Sequence, residues 1–138
     1  SMIKFRTMVR DAEAESGPVM SRPGDPRLTK VGRFLRKFSL DELPQLINVF
    51  KGEMSLIGPR PERPEFVRKF AGQIPNYMLR HKVKCGITGW AQVHGLRQDT
   101  PLDKRIEYDF FYIQNWSLGL DLKIIWMTLR KGFLDRSA

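Results

Sequence analysis

Apolar residues first fall into a helical period at Lys30, where Val31, Phe34, Leu35 and Phe38 occupy positions i, i+3, i+4 and i+7. They share one face, with Arg33, Arg36 and Lys37 off it, which predicts a basic amphipathic helix. The spacing repeats in Leu43, Leu46, Ile47 and Phe50, and Lys51-Gly52 supplies a carboxyl-end stop. Ahead of both, residues 3–9 predict a short strand. Asp11 to Pro26, rich in Gly, Pro, Ser and acids, has no apolar period and predicts a mobile loop without a core residue.

Beyond Gly52 the elements shorten. Met54 to Ile57 predicts a short strand, and Gly58-Pro59-Arg60-Pro61 a rigid loop, because its two prolines fix φ and remove donors. Pro64 to Phe70 predicts a helix, and Ile74 to Leu79 a further turn or two. Glycines 86, 89 and 95 break any helical period, so Gly86 to Val93 reads as turn and strand. Thr100-Pro101 supplies a cap and a first-turn proline for a helix to about Asn115, and Ser117 begins a last helix to about Arg130. The fold class expected is α+β and predominantly helical, a single domain over residues 1–138.

Composition narrows the partners. Lys and Arg number 24 against 15 Asp and Glu, a formal charge of +9 that favours nucleic acid, phosphorylated substrates or an acidic membrane face. One cysteine, Cys85, excludes an internal disulfide framework and fits a reducing compartment; nothing near it suggests a lowered thiol pKa. No apolar run reaches the roughly 20 residues of a membrane helix, and no signal pattern opens the chain. Ser1-Met2 reads as a cloning scar before an abrupt, truncated start.

The sequence lacks a Gly-rich phosphate loop, a dinucleotide fingerprint, a paired-His metal motif and Cys-x-x-Cys. His81 and His94 have no acid or cysteine neighbour that supports a triad. Asp41 and Glu42 carry the chemistry worth testing. Ser39-Leu40-Asp41-Glu42 could be a capping box. Pro44 opposes that reading, since it would stand where an interior amide should bond to the Leu40 carbonyl, so the regular helix is expected near Pro44. Two adjacent carboxylates in an irregular turn, flanked by Arg33, Arg36, Lys37 and Arg60, suit phosphoryl chemistry. An ionised Asp, with an ordinary pKa of about 4, is a nucleophile without a separate base. A neighbouring Glu can hold Mg²⁺ beside substrate phosphate. A solvated cap and a catalytic dyad both remain open on these grounds.

Four blocks resemble one family: Lys4-Phe5-Arg6-Thr7-Met8, Asp25 through Arg36, Ser39-Leu40-Asp41-Glu42-Leu43-Pro44-Gln45, and Met54-Ser55-Leu56-Ile57-Gly58-Pro59-Arg60-Pro61. They are similar to the bacterial sugar transferases, the monotopic polyprenyl-phosphate phosphoglycosyl transferases. The similarity continues through Gly86 to Val93 and Tyr112 to Ser117. It implies transfer of a hexose 1-phosphate from a UDP-sugar to undecaprenyl phosphate, with release of UMP. By motif position Asp41 is the nucleophile, Glu42 with Asp41 the Mg²⁺ partner, and Arg36, Arg60 and Arg33 the phosphate contacts. Pro59 and Pro61 shape the loop that presents Arg60. The family's re-entrant membrane helix is missing here, and the implied location is the cytoplasmic face of the bacterial inner membrane. Gly95-Leu96-Arg97 and Glu107-Tyr108-Asp109 resemble the branch that primes exopolysaccharide synthesis with glucose 1-phosphate, although His94 stands where members often have Asn.

The last helix is apolar almost all round, from Leu118 to Leu129, with Lys123, Arg130 and Lys131 beside it. It reads either as a core helix or as an interfacial one on an anionic membrane surface. The rivals to an enzyme are a basic nucleic-acid-binding module and a noncatalytic membrane-surface scaffold. Against the former, no nucleic-acid-binding signature is present and the acid pair would repel a phosphate backbone.

Overall fold

Thr29 opens the first helix. Its backbone is extended and its hydroxyl accepts the Gly32 amide at 2.9 Å, satisfying one orphan donor where α1 (Lys30–Lys37) begins. The structure, a computed structural model, describes residues 1–22, 24–96 and 100–134; Arg97 lies outside the described residues. Past α1, Ser39 takes left-handed backbone at φ 55° and caps nothing, so the capping box does not form. A single 3-10 turn, Leu40–Glu42, holds the acid pair, and α2 (Gln45–Phe50) starts after Pro44, as the proline requires.

β1 (Ser55–Ile57) pairs in parallel with β2 (Gly86–Thr88), Ser55 opposite Gly86 and Ile57 opposite Thr88. A parallel pair needs a long crossover. Residues 58–85 provide it: the Pro-Arg-Pro loop, α3 (Pro64–Gln73) with Pro64 in its first turn, and a 3-10 stretch, Tyr77–Lys82, where the sequence predicts a turn or two. After β2 the strand expected to run to Val93 stops. The Val93 amide bonds the Gly89 carbonyl at 3.0 Å and closes a helical turn, α4 (Trp90–Val93). α5 (Leu102–Gln114) has Pro101 at its N-cap rather than in its first turn. α6 (Leu118–Leu134) starts at Ser117, whose hydroxyl accepts the Leu120 amide at 3.0 Å, and runs past the predicted end. The chain is thus predominantly helical α+β, as its patterning predicts.

Ile57, Val93, Tyr112 and Ile124 form the buried cluster between β1, α4, α5 and α6, with Trp90, Ile113, Leu120 and Met127 packed against it. α6 has one buried face and one open one: Ile124 is fully buried, while Leu118, Leu122, Trp126 and Leu129 are exposed. Among the described residues no helix is long and apolar enough to cross a membrane. The first two helices are turned the other way from a core helix. Val31 and Phe34 of α1 with Phe38 at its carboxyl end, and Leu46, Ile47 and Phe50 of α2 with Leu43 ahead of it, are exposed, whereas Gln45 and Asn48 are buried.

Residues 3–9 do not form a strand, because their backbone groups bond to successive elements instead of to one neighbour. The Ile3 amide goes to the Asn48 side chain, Phe5 to the Asp41 carbonyl and Val9 to Arg27, and only Met8 and Leu28 make an antiparallel bridge. The loop beyond them does contain a buried residue, contrary to its polar composition. Asp25 is 2% exposed and clamps Arg27 through bonds of 2.9 Å to Nε and 2.7 Å to a terminal nitrogen. The Arg27 hydrogen bonds hold its carboxyl far below the usual range, against the pull of burial. A depressed folded-state pKa gives stability that is present above the unfolded pKa of about 4 and lost as pH falls further. Asp25→Asn therefore lowers the melting midpoint by several degrees at pH 7, and the gap to the native chain narrows at pH 3. Paired thermal melts at those two pH values check this.

Candidate active site

The acid pair sits in the turn that Pro44 leaves irregular. The Phe5 amide bonds the Asp41 carbonyl at 3.0 Å, which lays the amino-terminal segment over the turn and delivers Lys4 to Glu42. Lys4 Nζ lies 3.0 Å and an Arg60 terminal nitrogen 2.5 Å from the same Glu42 oxygen, and Arg60 reaches the second oxygen at 3.4 Å. Burial opposes ionisation of Glu42, but the Arg60 charge, followed by that of Lys4, outweighs it and holds the carboxyl below its ordinary range.

Asp41 is treated differently by its surroundings. It is 9% exposed, and among the described residues no cation stands within ion-pair distance of its carboxylate. Burial pushes its carboxyl upward and the Glu42 charge adds to the rise, while Lys4 and Arg36 offset part of it. Two adjacent acids are therefore pushed apart: Glu42 is a fixed, neutralised anion, and Asp41 an only partly compensated one that gains from any cation or electrophile brought to it.

Arg36 faces this turn with its nitrogens on hydroxyls, 2.9 Å from Thr7 Oγ1 and 2.6 Å from Ser21 Oγ, and among the described residues no carboxylate forms an ion pair with it. Gly32 makes that approach possible, since a Cβ there would stand 1.9 Å from the Thr7 carbonyl oxygen. Arg33 is on the exposed side of α1 and makes no ion pair with either acid.

The Pro59-Arg60-Pro61 loop is held from both sides. The Pro59 carbonyl accepts the Gly86 amide at 3.0 Å, and the Arg60 carbonyl accepts an Arg80 nitrogen at 2.9 Å. Arg80 is itself buried, with Asp109 Oδ2 2.8 and 3.1 Å from two of its nitrogens and the Tyr77 hydroxyl at 3.0 Å. Burial pushes Asp109 up to about 6 even with Arg80 against it. Beside them Arg105 pairs with Glu62 at 3.1 Å, both nearly sealed from solvent. Sequence reasoning assigns no role to Lys4, Thr7, Ser21, Arg80 or Asp109. Lys4, Thr7 and Asp109 lie inside blocks it singles out, whereas Arg80 lies in none, and its pairing with Asp109, 29 residues away, carries no local signal.

Among the described residues no group of three His, Cys, Asp or Glu could hold a metal ion. The donor chemistry still fits Mg²⁺, which takes hard oxygens from one or two carboxylates and the rest from substrate phosphate and water. Glu42 has one oxygen whose protein contact is the long 3.4 Å one, and Asp41 is adjacent. Cys85, by contrast, has its thiol pushed up by burial and offers no reactive thiolate.

A family model described as bacterial sugar transferase matches residues 1–135. The chain is 48% identical over 139 residues to the UDP-glucose:undecaprenyl-phosphate glucose-1-phosphate transferase of Escherichia coli K12, covering 98% of this chain and 30% of that protein. It is 51% identical over 129 residues to the UDP-N-acetylgalactosamine-undecaprenyl-phosphate N-acetylgalactosaminephosphotransferase of Aeromonas hydrophila, covering 92% and 30%. With the UDP-galactose-lipid carrier transferase of Erwinia amylovora it shares 40% over 141 residues, covering 92% and 29%. The chain thus spans about a third of the length of these curated relatives. With the match running through the acid pair and the Pro-Arg-Pro loop, the chain belongs to the bacterial sugar transferase family.

Proposed function

We propose that the chain carries the catalytic site of a polyprenyl-phosphate sugar-1-phosphate transferase that takes a UDP-hexose as donor and undecaprenyl phosphate as acceptor. The observation that carries this is the split between Asp41, buried and without an ion-pair partner among the described residues, and Glu42, neutralised by Lys4 and Arg60. In the first step an Asp41 carboxylate oxygen attacks the sugar-proximal phosphorus. A bond forms between that oxygen and phosphorus, the diphosphate bridge breaks, and its electron pair leaves with UMP. In the second step an oxygen of the lipid phosphate attacks the same phosphorus and Asp41 departs as carboxylate. Arg36 and Arg60 neutralise the phosphoryl oxygens. Glu42, with Asp41 beside it, would hold Mg²⁺, which when bound supplies charge neutralisation at the diphosphate.

The acceptor is a lipid, and the exposed apolar faces of α1 and α2 support docking on an anionic membrane surface at the bacterial cytoplasmic face. Exposed Trp126, with the Arg130 guanidinium 5.3 Å from its ring, has the aromatic-basic character of headgroup contacts. The named relatives act on glucose, N-acetylgalactosamine and galactose donors, so the sugar is the quantity to measure. Incubation with Mg²⁺ and a panel of UDP-sugars, followed by intact-mass and peptide mapping, should give a sugar-phosphate adduct on Asp41 with matching UMP. Folded protein that forms no adduct and releases no UMP with any donor would sink the reading in favour of a scaffold.

A further inference from the structure

We propose that Arg80 is a positioning residue, holding Arg60 against Glu42 through the Arg60 backbone carbonyl. The proposal deepens the transferase reading and takes its reaction from there. A guanidinium is rarely buried unless every edge is used, and Arg80, at 3% exposure, spends its edges on three partners: Asp109, the Tyr77 hydroxyl and the Arg60 carbonyl. Asp109 projects from α5, whose Ile106 and Tyr112 are buried. A continuous path therefore runs from a core helix through Asp109 and Arg80 to the Arg60 carbonyl. From the same residue the Arg60 side chain reaches Glu42 at 2.5 Å.

The flanking prolines do not finish this job alone. They fix φ at 59 and 61 and push Arg60 toward extended backbone, while the hydrogen bond at its carbonyl sets the tilt of the peptide plane. Nor does stability explain the pair, because a buried ion pair is commonly matched or bettered by apolar residues of similar volume. What an apolar pair cannot supply is a donor to the Arg60 carbonyl. A loop released there would let Arg60 drift from Glu42, and a displacement of about 1 Å at a reacting centre costs on the order of 10²-fold.

Removing Arg80 alone would strand the Asp109 charge and risk the fold, so the informative variant is Arg80→Met with Asp109→Leu. It should melt within a few degrees of the native chain and form the Asp41 adduct about 10- to 100-fold more slowly in single turnover. Introduced into an Arg60→Ala background, the same two changes should add less than about twofold, because the residue they act through is gone. Nitrogen-15 NMR of the Arg60 guanidinium reads the contact independently of turnover: its terminal nitrogens, held by the Glu42 carboxylate in the native chain, should become free to rotate as Arg60 withdraws. An Arg60 guanidinium still held in the folded variant, a native adduct rate, or a full additive loss without Arg60 would each overturn the proposal. If the native chain forms no adduct while the Arg60 guanidinium is still released in the variant, the transferase reading falls and the positioning role stands.

Discussion

Asp41→Asn should abolish turnover, by at least about 10³-fold, while raising the melting midpoint at pH 7 by about 2–5 °C. The two effects have one origin. Burial, then the charge of Glu42, pushes the Asp41 carboxyl above its ordinary range, so the folded chain holds an ionised group that it would rather hold neutral. A raised acid pKa lowers stability once the pH exceeds the unfolded value of about 4, and the deficit is complete above the folded value. Asn removes the charge in both states, so its gain grows as the pH rises above about 4 and vanishes below it. Turnover of the native chain should also fall on the acid side at a midpoint above that of an ordinary aspartate, because the nucleophile must be ionised. Melts at about pH 7 and about pH 3.5, with UMP release across the same range, test both halves. A variant that melts lower at neutral pH, or keeps a tenth of native turnover, would remove Asp41 from the centre of the site.

Much of this is legible in the residues themselves. Pro44 alone argues that the acid pair lies in an irregular turn, and the 3-10 turn with a left-handed Ser39 is what it produces. The helical period locates α1 and α2, since periodicity reports a face. It does not report what covers that face: Phe34 and Phe50 are exposed, while Gln45 and Asn48 of α2 are inside. Burial of polar groups is decided by partners distant in sequence, and no window sees them. Asp25 is buried because Arg27 and the Arg22 carbonyl region fold over it, although its neighbours are Gly, Pro and Ser. The Arg80–Asp109 pair, the Lys4–Glu42 pair and the Arg36–Thr7 bond join residues 29 to 38 positions apart, and each is invisible until the chain closes. The acids are therefore readable as candidates, whereas the environment that separates their pKa values is not.

The largest structural effect is expected from a single methyl group. Gly86→Ala should lower stability by at least about 4 kcal/mol, a large fraction of the roughly 5–15 kcal/mol typical of a domain. A Cβ at position 86 would stand 2.1 Å from the Gly58 nitrogen, 2.5 Å from the Ile57 carbonyl carbon and 2.5 Å from the Thr88 oxygen. All three are backbone atoms, so no side chain can swing away, and relief requires β1 and β2 to part. Parting threatens the bonds from Ser55 to Cys85, from Gly58 to Thr88 and from Gly86 to Pro59, all between 2.9 and 3.0 Å. The last of these anchors the loop that presents Arg60, so a variant that survives should also weaken the Arg60–Glu42 contact. Gly72→Ala in α3 is the matched control: beyond its chain neighbours and its own helix backbone, no atom of the described residues lies within 4 Å of the place its methyl group would take and its backbone is helical, so it should gain about 0.4–1 kcal/mol by restricting the unfolded chain. Denaturant melts of the two variants should thus move in opposite directions. A Gly86→Ala protein that melts with the native chain would mean that the strands are spaced more widely than this close approach requires, and that Arg60 is positioned without them.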